Sequence, residues 1–222
     1  MVLESLIRER LKEKQILIMT HLVLGYPSFE TCYGLIETMA RAGVDMIELQ
    51  IPFSEPVADG PIIAMANQKA LERGTTVKDC LDFAGSVAAS FDLPFLIMTY
   101  YNIAFTFGIH DFARNMAEKG LKGAIVPDLP PEEGGEYLGA MKEQDLSPVL
   151  IFSPSTPFER MQSLGRHGSG FIYCVARKGV TGKHTRFSSQ FEHYMGMCRE
   201  TTTLPLAVGF GLKEKKDVDF LA

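Results

Sequence analysis

Residues 47–61 read IELQIPFSEPVADGP, and two of their carboxylates could do chemistry together. Glu48 stands inside an apolar run, flanked by Met46, Ile47, Leu49 and Ile51. The run breaks at Pro52, and the loop after it carries Glu55, Asp59 and Gly60. Side chains alternate between faces along an extended segment, so Glu48 shares a face with Met46 and Gln50. An acid on a packed face is desolvated, and its pKa rises toward a value useful for proton transfer. The alternative is a core acid paired with a basic side chain, because burying an unpaired acid is costly. Asp59 alone is a weaker signal, since Asp-Gly is also a good turn. Beside Glu48 it gains weight, because two carboxylates in different surroundings can divide acid and base roles.

Two glycine-bearing stretches add a second chemistry. KGVTG (178–182) and VGFG (208–211) each follow an apolar run. Glycines let backbone N–H groups approach an anion closely, although either stretch alone also reads as a plain turn. Cys32, Cys80, Cys174 and Cys198 are far apart and form no CxxC. Neither a disulfide framework nor a zinc site is expected. His110, His167, His184 and His193 lack metal-ligand spacing and read as surface residues, so no metal is expected.

The elements that must position these groups alternate. Leu3, Leu6, Ile7 and Leu11 form a helical stripe. ILIMTHLVL (16–24) is an apolar run ended by Gly25 and Pro27, and Ser28 can cap a helix reaching about Ala42, closed by Gly43. Further strands are expected at MIELQI, FLIMTY (95–100), GAIVPD (123–128), PVLIF, GFIYCV (170–175) and LPLAVGFG (204–211). Helical patterns lie between them, two of them in succession at roughly 61–73 and 77–90.

Unbroken apolar strands alternating with helices imply a parallel sheet covered on both faces. An open doubly wound sheet and a (β/α)8 barrel both fit. The first strand–helix turn, LGYPS, is not GxGxxG, which counts against a dinucleotide-binding fold. The repetition favours a single (β/α)8 TIM barrel domain over residues 1–222, with strand eight and the last helix absent from the sequence. Barrel active sites lie at the C-terminal ends of the strands, which here carry His21, Glu48, Asp59, Tyr100, Asn102, Asp128, Tyr173, Arg177 and Thr181.

Bulk properties exclude other classes. A net charge of −5 gives no basic footprint for nucleic acid. No apolar run is long enough to span a membrane, and the charged N-terminal stretch has no apolar signal core. A cytoplasmic protein is expected.

IELQIPFSEPVADGP resembles the signature of the tryptophan synthase α chain family, usually close to LEL-G-[IV]-PFSDP-x-ADGP. LGYP, YYN, PDLPPEE, ARKGVTG and GFGL fall in the order that family has them, so the resemblance runs from about residue 16 to the end. It implies a (β/α)8 barrel that cleaves indole-3-glycerol phosphate to indole and glyceraldehyde 3-phosphate. Glu48 matches the catalytic glutamate and Asp59 the catalytic aspartate. Ile63, Tyr100, Tyr173 and Thr181 fall at substrate-binding positions, and Gly182 and Gly211 at phosphate-binding ones. The resemblance implies no cofactor on this chain, and a pyridoxal-phosphate β chain as partner in an α2β2 complex. The family continues with an eighth strand, a Gly-Ser phosphate loop and a last helix, so the working protein is expected to be longer. Glu55, Gln50 and His21 depart from the usual Asp, Gly and apolar aromatic. Two rival readings share the motifs: a stand-alone indole-glycerol-phosphate lyase, and a non-catalytic scaffold that activates a β chain.

Overall fold

The computed structural model of the chain describes residues 2–176, 189–209, 211–212 and 214–221. Among these residues seven parallel strands lie in the order of the sequence: β1 Met19–Val23, β2 Met46–Gln50, β3 Phe95–Met98, β4 Gly123–Ile125, β5 Ser147–Phe152, β6 Ile172–Val175 and β7 Leu206–Gly209. Each strand pairs in parallel with the next, which requires a crossover after every strand. The crossovers are helical: α2 Phe29–Arg41, α3 Pro61–Glu72, α4 Val77–Ser90, α5 Tyr101–Phe107, α6 Ile109–Glu118, α7 Gly135–Glu143, α8 Phe158–His167 and α9 Ser189–Thr201. A first helix, α1 Val2–Arg10, precedes β1, and α10 Lys215–Leu221 follows β7. Seven parallel strands alternating with helices make the greater part of a (β/α)8 TIM barrel, as the alternation of the sequence implies.

Strand alternation sorts the core into an inside and an outside. Met46, Leu96, Met98, Ile125, Val149 and Phe171 pack together with Leu3 and Ile7 of α1, which plug one end of the barrel. The intervening residues Ile47, Leu49, Phe95, Ile97 and Ala124 face outward into the larger cluster beneath the helices. Leu150, Phe152, Ile172 and Cys174 do the same under α8 and α9. All four cysteines are buried free thiols. Cys32 and Cys80 lie in the larger outer cluster, Cys174 and Cys198 in the smaller.

Helix starts follow local chemistry. The Ser28 hydroxyl accepts from Thr31 N at 3.1 Å and caps α2, while Gly43, at φ 83°, takes the left-handed turn after it. Thr76 and Asp79 form a reciprocal capping box that begins α4. The short α5 is a helix that periodicity does not announce: it is aromatic-rich and no side chain of its own N-cap residue, Tyr100, caps it. Its first N–H is instead satisfied from another loop, by Asp128 Oδ1 at 2.9 Å. Asp128 is thereby engaged in a structural bond, and Asn102 is exposed. His110, His167 and His193 are exposed, as their sequence context suggests.

Candidate active site

The site is built from the C-terminal ends of β1 and β2, the loop 52–60, and the start of α3. Glu48 lies in the middle of β2, in register with His21 of β1 and Leu96 of β3. It is 6% exposed. Among the described residues no lysine or arginine forms an ion pair with it. Burial pushes its pKa up, His21 opposes that displacement, and Asp59 adds to it. Among the described residues, no lysine or arginine plays the part of the basic partner that the sequence left as the alternative for Glu48.

Asp59 is delivered by its loop and fixed there by three neutral donors. A turn closes the loop, with Asp59 N donating to Pro56 O at 2.9 Å, and Gly60 then begins α3 with Pro61 in its first turn. Gln50 Nε2 donates to Asp59 Oδ2 at 2.7 Å and the Tyr100 hydroxyl donates to the same oxygen at 3.2 Å. Asn67 Nδ2 approaches it at 3.5 Å. All three contacts fall on Oδ2. Oδ1 receives no hydrogen bond from the described residues and stays available to a donor on a bound molecule. Burial raises the Asp59 pKa, and Gln50, His21, Tyr100 and Asn67 each counter that.

Asn67 is the residue that motif reasoning misses. Its amide is fully buried on the inner face of α3. Oδ1 accepts from Phe53 N at 2.9 Å and from Gln50 Nε2 at 3.3 Å, while Nδ2 donates to Ile63 O at 2.9 Å. One side chain thus ties the beginning of the loop, at Phe53, to its end, at Asp59. A signal existed: Ile63, Ala66, Asn67 and Ala70 share one helical face, so Asn67 interrupts a buried stripe. Phe53 also stacks on Tyr100 with ring centroids 5.1 Å apart, and Tyr100 accepts from Ala58 N at 3.1 Å.

The remaining sequence-derived residues fall into two groups. Ile63 is half-buried on α3, one turn from Asp59, and its carbonyl orients Asn67. Tyr173 projects inward from β6 beside Met19, Met98 and Ala207. Burial first, and Glu48 second, push its phenol pKa well above the ordinary value, which puts Tyr173 in the electrostatic reach of Glu48. Gly209 on β7 makes room for that ring: a Cβ there would collide with the Tyr173 phenol. Gly211 follows β7 at φ 72°, in the left-handed region that favours glycine. Thr181, Gly182 and Arg177 lie outside the described residues, as does His184.

This arrangement offers a desolvated carboxyl group that can give and take a proton. Next to it stands a second carboxylate with Oδ2 pinned and with Oδ1 free of hydrogen bonds from the described residues. Around them is an apolar interior of Met98, Tyr100 and Ile125. Among the described residues no group of three His, Cys, Asp or Glu side chains could hold a metal ion.

Known proteins resemble this chain over nearly its whole length. The family described as tryptophan synthase alpha chain matches residues 7–222. The tryptophan synthase alpha chain of Desulforapulum autotrophicum is 60% identical over 220 residues, covering 99% of this chain and 87% of that one. The structure of Mycobacterium tuberculosis tryptophan synthase superposes with a TM-score of 0.86 at 30% identity, covering 92% of this chain and 78% of that one. The tryptophan synthase α2β2 complex of Pyrococcus furiosus superposes with a TM-score of 0.85 at 26% identity, covering 92% and 82%. With a family match over nearly its whole length and a barrel of the same form, this chain belongs to the tryptophan synthase alpha chain family.

Proposed function

We propose that this chain cleaves indole-3-glycerol phosphate by a retro-aldol reaction in which Glu48 moves the protons and Asp59 holds the indole nitrogen. The observation that carries the assignment is a buried, inward-facing Glu48 with no basic partner among the described residues, beside an Asp59 whose Oδ1 is open. Burial favours the protonated Glu48 carboxyl, the form that the first step requires. It protonates C3 of the indole ring, and positive charge develops on the ring nitrogen. Asp59 Oδ1 accepts the indole N–H and stabilises that charge. The Glu48 carboxylate then takes the proton of the side-chain hydroxyl next to the ring. That carbon becomes the aldehyde of glyceraldehyde 3-phosphate, the bond to C3 breaks, and its electron pair restores indole. Glu48 ends protonated, as it began.

Ile63, Tyr100, Tyr173 and Thr181 contact the substrate on this reading, and backbone amides at Gly182 and Gly211 hold its phosphate. The left-handed backbone at Gly211 supports the phosphate role, because such turns present N–H groups to an anion. One barrel domain carries the reaction with no cofactor of its own. The pyridoxal phosphate belongs to a β chain, with which this chain forms an α2β2 complex in the cytoplasm. Two exposed apolar residues lie on either side of Asp59 in the chain, Val57 at 73% and Ile62 at 67%, and suit a partner surface there. Among the described residues no helix is long and apolar enough to cross a membrane.

The test is a lyase assay with indole-3-glycerol phosphate, with and without β chain. Glu48→Gln should lower kcat by at least about a hundredfold, the usual range for losing a general acid–base group. Asp59→Asn should also be severely impaired. Near-normal turnover in Glu48→Gln would remove the assignment. Acceleration of the wild-type lyase by β chain separates the complex from a stand-alone enzyme, and lyase activity itself excludes the non-catalytic scaffold.

A further inference from the structure

We propose that Gln50 and His21 act as a linked pair of positioning residues that aim Asp59 at the substrate. The inference rests on the reading of Asp59 given above. Gln50 is fully buried at the C-terminal end of β2, two residues beyond Glu48 and on the same face. Its amide has two chemically different ends, and the neighbours decide which faces where. The Asp59 carboxylate can only accept, so the Gln50 NH2 group must face it, as it does at 2.7 Å. The Gln50 oxygen is then left facing His21 Nε2, also at 2.7 Å. An amide oxygen can only accept, so His21 must carry a proton on Nε2 and donate it.

The chain therefore has one direction: His21 donates to Gln50, and Gln50 donates to Asp59 Oδ2. Asp59 and Asn67 Oδ1 hold the donor end of the Gln50 amide, and His21 fixes its oxygen; without His21 that buried oxygen loses this donor and the amide is held at one end only. With His21 in place, Oδ2 is pinned by Gln50 and Tyr100, and Oδ1, which receives no hydrogen bond from the described residues, is the oxygen left to bind an N–H.

The test is a double-mutant cycle on steady-state lyase kinetics in the complex with β chain. Gln50→Met keeps the length of the side chain and removes the donor. His21→Phe keeps a ring and removes Nε2. Losing a hydrogen bond to a charged group should lower kcat roughly tenfold in Gln50→Met, with KM changed less than about threefold, because the bond orients a reacting group and does not itself hold substrate. His21→Phe should lower kcat by about threefold to tenfold in the wild-type background, the range of a neutral hydrogen bond, and have a smaller effect on Gln50→Met, where only its direct influence on the Glu48 and Asp59 carboxyls remains. A His21 effect of equal size in both backgrounds overturns the linkage, and a normal kcat in Gln50→Met overturns the positioning role. Asp59→Asn is measured in parallel. If it retains turnover, the catalytic reading of Asp59 falls and this proposal with it; if it is inactive while Gln50→Met is normal, only the positioning proposal falls. Should Gln50→Met fail to fold, His21→Phe still decides: an unchanged kcat overturns the proposal.

Discussion

Glu48→Gln preserves the shape of a side chain that is 6% exposed and removes its charge, so its effect on stability tests why the acid is there. Burial raises the folded-state pKa of Glu48 above its ordinary 4.5, more than His21 lowers it. Below that ordinary value the carboxyl is neutral in the folded and the unfolded chain, and the group's contribution is fully present. As pH rises the unfolded carboxyl ionises first, the folded state binds more protons than the unfolded, and stability falls until the folded group ionises too. Glutamine never ionises and has no such loss. Each tenfold displacement of the proton equilibrium is about 1.4 kcal/mol, or about 3–5 °C in Tm for a chain of this size. Thermal unfolding of both proteins, followed by circular dichroism from mildly acidic to mildly alkaline pH, should show the variant gaining on the wild type as pH rises. The same variant should have lost its lyase turnover. A variant less stable than wild type at every pH would mean that a partner stabilises the Glu48 charge, and the argument from desolvation would be wrong.

Tyr100→Phe keeps the stack on Phe53 but removes a donor to Asp59 and leaves the Ala58 N–H without its acceptor; stability should fall by about 1–3 kcal/mol, read by denaturant titration, and kcat should fall with it. Gly209→Ala should destabilise by about 1–3 kcal/mol through overpacking against Tyr173, and the penalty should vanish in a Tyr173→Ala background. Asp45 is buried, accepts from Ile18 N at 2.9 Å, and pairs with the partly exposed Lys14 and Arg10, which holds α1 against the barrel end. Asp45→Asn should cost about 2 kcal/mol, much of it from the buried acceptor and less from the screened ion pairs, and hydrogen exchange should accelerate first in α1.

The parts of the fold legible in the sequence were those written in one stretch of chain. The seven strands are short apolar runs with breakers on both sides, and each was visible, although β1 occupies only five residues of the nine-residue run. The cap at Ser28 and the glycine turn at Gly43 were equally local. Helix α5 was not legible, because the group that satisfies its first N–H belongs to Asp128, on another strand's loop. The same division holds in the site. Glu48 announced itself by contrast with its neighbours, and Asp59 by its loop. Gln50 and His21 stood out only as departures from a family pattern, since their meaning lies in a bond between two strands. Asn67 looked like an ordinary helix residue until the fold placed it under the loop it secures.

The distribution of the thiols has a use beyond packing. Cys32 and Cys80 are closed off beneath the helices of the first half of the barrel, Cys174 and Cys198 beneath α8 and α9. A reagent that alkylates thiols can reach either pair only when its own half opens. Mass-resolved labelling of the native protein would therefore time the two halves separately. Equal rates would mean that the barrel breathes as one cooperative unit; faster modification of Cys174 and Cys198 would mean that the half carrying Tyr173 opens on its own.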